Sequence, residues 1–126
     1  MAQLKIGVVI AIYGIEKNTL INCLESLFRN NFPNLLIVLV DDNPDDNVSI
    51  AIEKKYKKII NIKNKRNIGY VRDNDQGIKY LLQEKVDYIL LLNPDTVVSP
   101  TLFKEILPLF AINEKIISVG PIITYL

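Results

Sequence analysis

The stretch Leu35-Leu36-Ile37-Val38-Leu39-Val40-Asp41-Asp42-Asn43-Pro44-Asp45-Asp46 decides the fold. Residues 35–40 are apolar without a break, the pattern of a strand covered on both faces, as in parallel sheets. The run then passes directly into four carboxylates, an asparagine and a proline, a composition that makes a turn. A buried strand with an acidic tip is a ligand-binding end in open α/β sheets, where ligands collect beyond the carboxyl ends of strands.

The same transition recurs downstream. Tyr88-Ile89-Leu90-Leu91-Leu92 reads as the clearest central strand and ends in Asn93-Pro94-Asp95-Thr96. Upstream, residues 4–12 form another nearly continuous apolar strand, followed by a Tyr13-Gly14 turn, and residues 59–62 give a short third strand. Helical spacing separates these runs. In residues 19–29, Leu20, Cys23, Leu24, Leu27 and Phe28 fall on one stripe, with Asn18 as the expected N-cap and Asn30, Asn31 and Pro33 as the stop. Residues 48–56 make a short helix with Asp46 as its capping oxygen.

Residues 71–84 place Val71, Asn74, Ile78, Leu81 and Leu82 near one helical face. Gly77 costs that helix up to about 1 kcal/mol relative to alanine, which close packing would explain. Ser99 and Pro100 read as an N-cap and a first-turn proline for a helix with apolar Leu102, Phe103, Ile106, Leu107 and Phe110. Residues 116–123 offer a last strand, interrupted at Gly120-Pro121. Alternating strands and helices predict an α/β domain with a mainly parallel sheet covered by helices, a single unit over residues 1–126.

Composition narrows the function classes. Apolar residues at 49% and charged residues at 23% support a packed core rather than disorder. A net charge of +1 gives no broad field for a nucleic-acid backbone, so no nucleic-acid partner is expected. Lys54, Lys55, Lys57, Lys58, Lys63, Lys65 and Arg66 read as the wet side of a helix and the edge beyond it. The lone Cys23 allows no intrachain disulfide, fits a reducing compartment and sits on a helix stripe as a small buried hydrophobe. Histidine is absent, so a metal would be held by oxygen, favouring Mg²⁺ or Mn²⁺ over zinc. No apolar run approaches the roughly 20 residues of a membrane span. Neither a glycine-rich dinucleotide fingerprint nor a Gly-Lys-Ser/Thr phosphate loop occurs.

The two acidic strand tips have a shared chemical use. A carboxylate accepts hydrogen bonds from a base N–H or a ribose hydroxyl, and a hard cation bridges a carboxylate to diphosphate oxygens. Asp41 suits the first task and Asp95 the second. Each also has a bland alternative, since Asn-Pro-Asp is a common turn composition and an acidic cluster caps helices. Asn67, Gly69, Arg72, Asp73 and Asn74 form a third polar cluster, in which Gly69 permits close backbone approach and Arg72 suits a phosphate or an ion pair with Asp73 or Asp75. Tyr13 is placed to line a base pocket or to cover the sheet edge.

These residues resemble the nucleotide-binding half of a family 2 glycosyltransferase with the GT-A fold, near the rhamnosyltransferase-like branch. The resemblance is carried by Val8-Val9-Ile10-Ala11-Ile12-Tyr13, by Ile37-Val38-Leu39-Val40-Asp41 with the turn ending at Asp46, by Asn67-Ile68-Gly69-Tyr70 continuing to Asn74 and Gly77-Ile78, and by Tyr88 to Thr96, whose Asn93-Pro94-Asp95 is a variant of the family's Asp-x-Asp motif. It implies a three-layer α/β/α fold and inverting, metal-assisted transfer of a sugar from a UDP-sugar or dTDP-sugar to a glycan or lipid-linked acceptor. By it, Asp41 and Tyr13 meet the base, Asn67, Gly69, Arg72 and Asn93 belong to the donor site, and Asp95 binds Mg²⁺ or Mn²⁺.

The chain departs from the family at Ile12 and Gly14, where Thr or Ser and Asn are usual, at Pro44-Asp45 in the acidic turn, and at Asp73 and Asp75, where glycine and a second asparagine are usual. Such enzymes continue for a further hundred or more residues that supply the acceptor surface and the catalytic base, so no base is assigned here. The chain is expected to be a truncated donor-binding part, self-associating through an exposed face. Its expected location is the cytoplasm, at the inner face of the membrane in a full-length protein. A noncatalytic nucleotide-binding module and a structural α/β interaction domain are the competing readings.

Overall fold

The computed structural model describes residues 3–125. Four strands, β1 (Ile6–Ile12), β2 (Leu35–Asp41), β3 (Ile59–Lys63) and β4 (Tyr88–Leu91), make one sheet in the order β3-β2-β1-β4. All pairings are parallel, with Ile12 opposite Asp41, Asp41 opposite Lys63 and Val9 opposite Leu91. Helices α1 (Lys17–Phe28), α2 (Val48–Lys55) and α3 (Tyr70–Gln83) are the crossovers, and α4 (Leu102–Ile106) follows β4.

The alternation of β1 and β2 builds three layers. Ile6, Val8, Ile10 and Ile12 of β1 join Ile37 and Leu39 of β2 in a core with Leu20, Cys23, Leu24 and Leu27 of α1, Ile52 of α2 and Leu102 and Phe103 of α4. Val9, Val38 and Val40 point the other way and pack with Leu81 of α3. The result is an α/β/α sandwich with a fully parallel sheet, as the alternating pattern predicts.

Gly77 lets α3 lie against the sheet, because a Cβ there would stand 2.4 Å from Val9 Cγ1. The α3 face differs from the expected one. Asp73, Asn74, Gly77 and Leu81 are buried, while Val71 and Leu82 are largely exposed. Helix α1 begins at Lys17, two residues before the expected start, and Asn18 is not its cap. Asp46 does accept the Val48 amide at 3.2 Å at the start of α2.

Three further expectations are corrected at the C-terminal end. β4 is an edge strand among the described residues, not a central one, since only β1 pairs with it. The helix after Ser99-Pro100 starts at Leu102 and gives way to a 3₁₀ segment (Leu107–Ala111), where Pro108 removes an amide that an α-helix needs. Residues 116–123 form no strand; Ile117, Ile122 and Ile123 are almost fully exposed and lie against no neighbouring strand.

Candidate functional site

All four strands run parallel, so their carboxyl ends share one edge of the sheet. The chain moves from β1 outward to β2 and β3, then crosses back to place β4 on the opposite side of β1. That reversal between β1 and β4 is a topological switch point, where the loops diverge and leave a crevice. A cavity of about 650 Å³ opens there. Its walls include Tyr13 after β1, Asp42 after β2, Asn67 and Gly69 after β3, Tyr70 and Asp73 of α3, and Asn93, Pro94 and Asp95 after β4. Five expected site residues, Tyr13, Asn67, Gly69, Asn93 and Asp95, therefore meet at one crevice.

Asp41 does not join them. As the last residue of β2 it continues the Ile37–Leu39 face toward α2, and it is fully buried. Its Oδ2 accepts Ser49 Oγ at 2.5 Å and Lys63 Nζ at 2.8 Å, and its Oδ1 accepts the Asn43 amide at 3.0 Å. Lys63 also donates to the carbonyls of Asn43 and Asp46, so it stitches the acidic turn closed instead of standing in solvent with the other basic residues. Removing Lys63 would strand the buried Asp41 charge, so the pair holds the acidic turn in place.

Asp42, one residue on, points to the other side and lines the cavity. Its carboxylate accepts the amides of Ile68, at 2.8 and 2.9 Å, and Gly69, at 2.9 Å, and the Asn64 carboxamide at 3.2 Å. Burial disfavours its charge, but the Gly69 and Ile68 amides and Asn64 outweigh that and hold its pKa below the ordinary aspartate value. Gly69 adopts φ +91°, outside the range most side chains accept, and that turn is what aims both amides at Asp42.

Asp73 stands beside Asp42 and is 3% exposed. Among the described residues it receives one hydrogen bond, from Asn64 Nδ2 at 3.1 Å to Oδ1. Asn64 is held in place by Gln76, whose Nε2 donates back to it at 3.0 Å. Burial, then the Asp42 charge and a hydrogen bond to that carboxylate, push the Asp73 pKa up to about 6. Two carboxyls this close favour holding one proton between them.

On the β4 side the loop is pinned from beneath. Ser26 Oγ of α1 accepts the Val98 amide at 3.0 Å, and Asn30 Nδ2 donates to the Ser99 carbonyl at 3.0 Å. Cys23 Sγ lies 3.7 Å from the Asn93 carbonyl. Burial and the nearby Asp95 charge raise the Cys23 thiol to about 12, which leaves it inert, as its position on the helix stripe suggests. Tyr70 Oη donates to Asn93 Oδ1 at 3.2 Å, a link from the start of α3 to the β4 loop. Asp95 is exposed and forms no salt bridge among the described residues.

Arg72 is exposed and pairs with neither Asp73 nor Asp75; Asp75 pairs with Lys79 at 2.7 Å. No group of three or more metal-ligating side chains occurs among the described residues. A magnesium-like ion needs only one or two carboxylates when substrate phosphates and water complete its shell, and the open carboxylate of Asp95 meets that requirement.

Asp42 and Tyr70 line the cavity and Asn64 braces its wall, none of them singled out in the sequence; Asp73, there a member of the third polar cluster, lines it as well. The alternation of β2 carried a signal for Asp42. Ile37 and Leu39 share a face with Asp41, so Asp42 belongs to the face of Val38 and Val40, which α3 covers.

With this geometry in view, comparison with known proteins defines the class. The sequence profile of glycosyl transferase family 2 matches residues 7–126, and the chain belongs to that family. No curated protein sequence matches it. Among solved structures, S. aureus TarS 1-349 superimposes with a TM-score of 0.72 at 19% identity, over 88% of this chain and 33% of that one. TarS 1-349 in complex with UDP-GlcNAc gives a TM-score of 0.70 at 20% identity, over 88% and 32%. The chain thus spans about a third of these structures, and at such identity the likeness is one of fold: a GT-A type sandwich. Among the described residues no helix is long and apolar enough to cross a membrane.

Proposed function

We propose that residues 1–126 are the donor-nucleotide-binding part of a sugar transferase that uses a UDP-sugar or dTDP-sugar, and that the crevice at the switch point receives the nucleoside diphosphate. The observation carrying this reading is one cavity bringing together groups from all four strand ends, with the clamped Asp42 turn on one wall and the open Asp95 carboxylate on the other. Family membership supports it, as does the fold shared with a TarS structure holding UDP-GlcNAc.

In this reading Tyr13 lies against the base, and the Asn67–Gly69 turn brings backbone close to the nucleotide. Asp42 takes over the place at the cavity wall that Asp41 was expected to hold. Arg72, exposed at the start of α3, is left to the phosphates or the sugar. Asp95, with Asn93 beside it, would hold Mg²⁺ or Mn²⁺, which when bound neutralises the departing diphosphate. Transfer inverts the sugar carbon as a carboxylate takes the acceptor hydroxyl proton. The acceptor is a glycan or lipid-linked saccharide, the branch is rhamnosyltransferase-like, and the protein works in the cytoplasm beside the membrane. Exposed apolar side chains, among them Val71 and Leu82 of α3 and Leu91 of β4, offer surface for self-association.

Calorimetry with UDP and dTDP, with and without Mn²⁺, tests the donor site. Binding strengthened by Mn²⁺, with that gain lost in D95N, is expected; no binding under any condition refutes the reading. A second reading, a noncatalytic nucleotide-binding module, draws on the fact that Asp42 is fully engaged by the Ile68 and Gly69 amides and Asn64 and is not free to serve an acceptor. UDP binding without hydrolysis or transfer of any donor would favour it.

A further inference from the structure

Asp73 occupies a place the donor-site reading does not use. It comes from the first turn of α3, is buried to 3% exposure, and still forms part of the cavity wall. Among the described residues its single donor is Asn64, whereas Asp42 collects two amides and the same carboxamide. The pair is therefore unequal. Asp42 is fixed as an anion by its donors, and Asp73 is the member with capacity to spare on the cavity side.

We propose that Asp73 is the carboxyl that senses the ligand: it shares a proton with Asp42 and takes that proton up fully when a nucleoside diphosphate fills the cavity, so binding weakens as pH rises. The inference rests on the donor-site reading above. Two physical effects set its direction. A bound ligand removes water from a carboxyl already short of donors, and the phosphates of metal-free UDP, the ligand used in the test below, bring further negative charge; both favour the protonated acid.

The charged surroundings do not reverse this. From β2, Asp42 faces Asp73, while the Asp41 charge acts from the opposite side of the sheet and is tied to Lys63 of β3 at 2.8 Å. On α3 itself Asp75 is tied to Lys79, and Arg72 is exposed. Lys65 and Arg66 of the loop between β3 and α3 are exposed, and Asp95 lies across the cavity as a further negative charge. The free protein holds Asp73 near a pKa of about 6, so a modest upward push changes its protonation at neutral pH.

UDP affinity of the wild-type chain and of D73N, each measured without metal at about pH 5.5 and about pH 7.5, tests the proposal. The ligand's own phosphate titration is common to both proteins and cancels in the ratio of their affinities. If only the protonated acid admits the ligand, occupancy of that form falls roughly tenfold per pH unit above the pKa. Wild-type affinity should therefore fall relative to D73N by about tenfold or more over this interval. A flat ratio overturns the role of Asp73 while leaving the donor site standing. Absence of UDP binding to the wild-type chain at both pH values overturns the donor site and this inference with it. Should D73N not fold, carboxyl ¹³C NMR of the wild-type chain decides: saturation with UDP should move the Asp73 midpoint upward, and an unchanged or lowered midpoint contradicts the proposal.

Discussion

Asp41 and Asp42 are adjacent, chemically identical and opposite in role, and the period of the strand separates them. Asp41 is enclosed with Ser49 and Lys63, while Asp42 turns to the α3 side and anchors the Ile68–Gly69 amides at the cavity wall. The Asp42–Asp73 pair gives the chain a pH-dependent stability. Asp73 is raised from 3.8 to about 6, so the native state holds its proton more tightly than the unfolded chain does. Stability from this group is greatest below the unfolded value, declines as pH rises through the native value, and is level above it. D73N should accordingly be more stable than the wild-type chain above about pH 6, by on the order of 2 kcal/mol, with the difference disappearing near about pH 4. Urea unfolding across that range checks it; a variant less stable at neutral pH would show that Asp73 serves as a structural acceptor.

At the scale of elements, α3 matters most, because it carries Tyr70 and Asp73 and is seated by Gly77 against Val9. An added methyl at 2.4 Å from a stiff β-branched side chain forces the helix off the sheet. G77A should cost about 1–3 kcal/mol in denaturant unfolding and weaken UDP binding through the displaced cavity wall; a neutral substitution would mean that α3 has slack. Much of this level was legible in the sequence. Apolar runs mark the positions of all four strands, and 3.6-residue spacing marks α1 and α3, with α2 legible as a short helical stretch between β2 and β3. The rest depends on tertiary neighbours or on single residues within an apolar run. Residues 116–123 are apolar enough for a strand, but strand formation needs a partner edge, which a one-dimensional pattern does not supply. Apolar character alone points Val71 and Leu82 inward, yet α3 turns them out, because small Gly77 and polar Asp73 and Asn74 take the buried face. Pro108 breaks the last helix, since it lacks the amide that the next α-helical turn needs.

For the whole molecule, the decisive property is topology. Parallel strands and one reversal of direction place Tyr13, Asp42, Gly69, Asn93 and Asp95 around one crevice, although up to 82 residues separate them in sequence. The site residues were legible to the extent that their strand tips were: Asn93 and Asp95 follow a clear strand, whereas Asp73 lies mid-pattern in a helix and gains meaning only beside Asp42. The central claim is that this crevice binds a nucleoside diphosphate. Amide ¹H–¹⁵N spectra recorded through a titration with UDP and Mg²⁺ measure that claim directly. Shifts concentrated at Tyr13, Gly14, Asp42, Asn67, Gly69, Asp73, Asn93 and Asp95 are the expected result. Spectra unchanged at saturating UDP, or shifts confined to the opposite end of the sheet around Lys5 and Asn34, would contradict it.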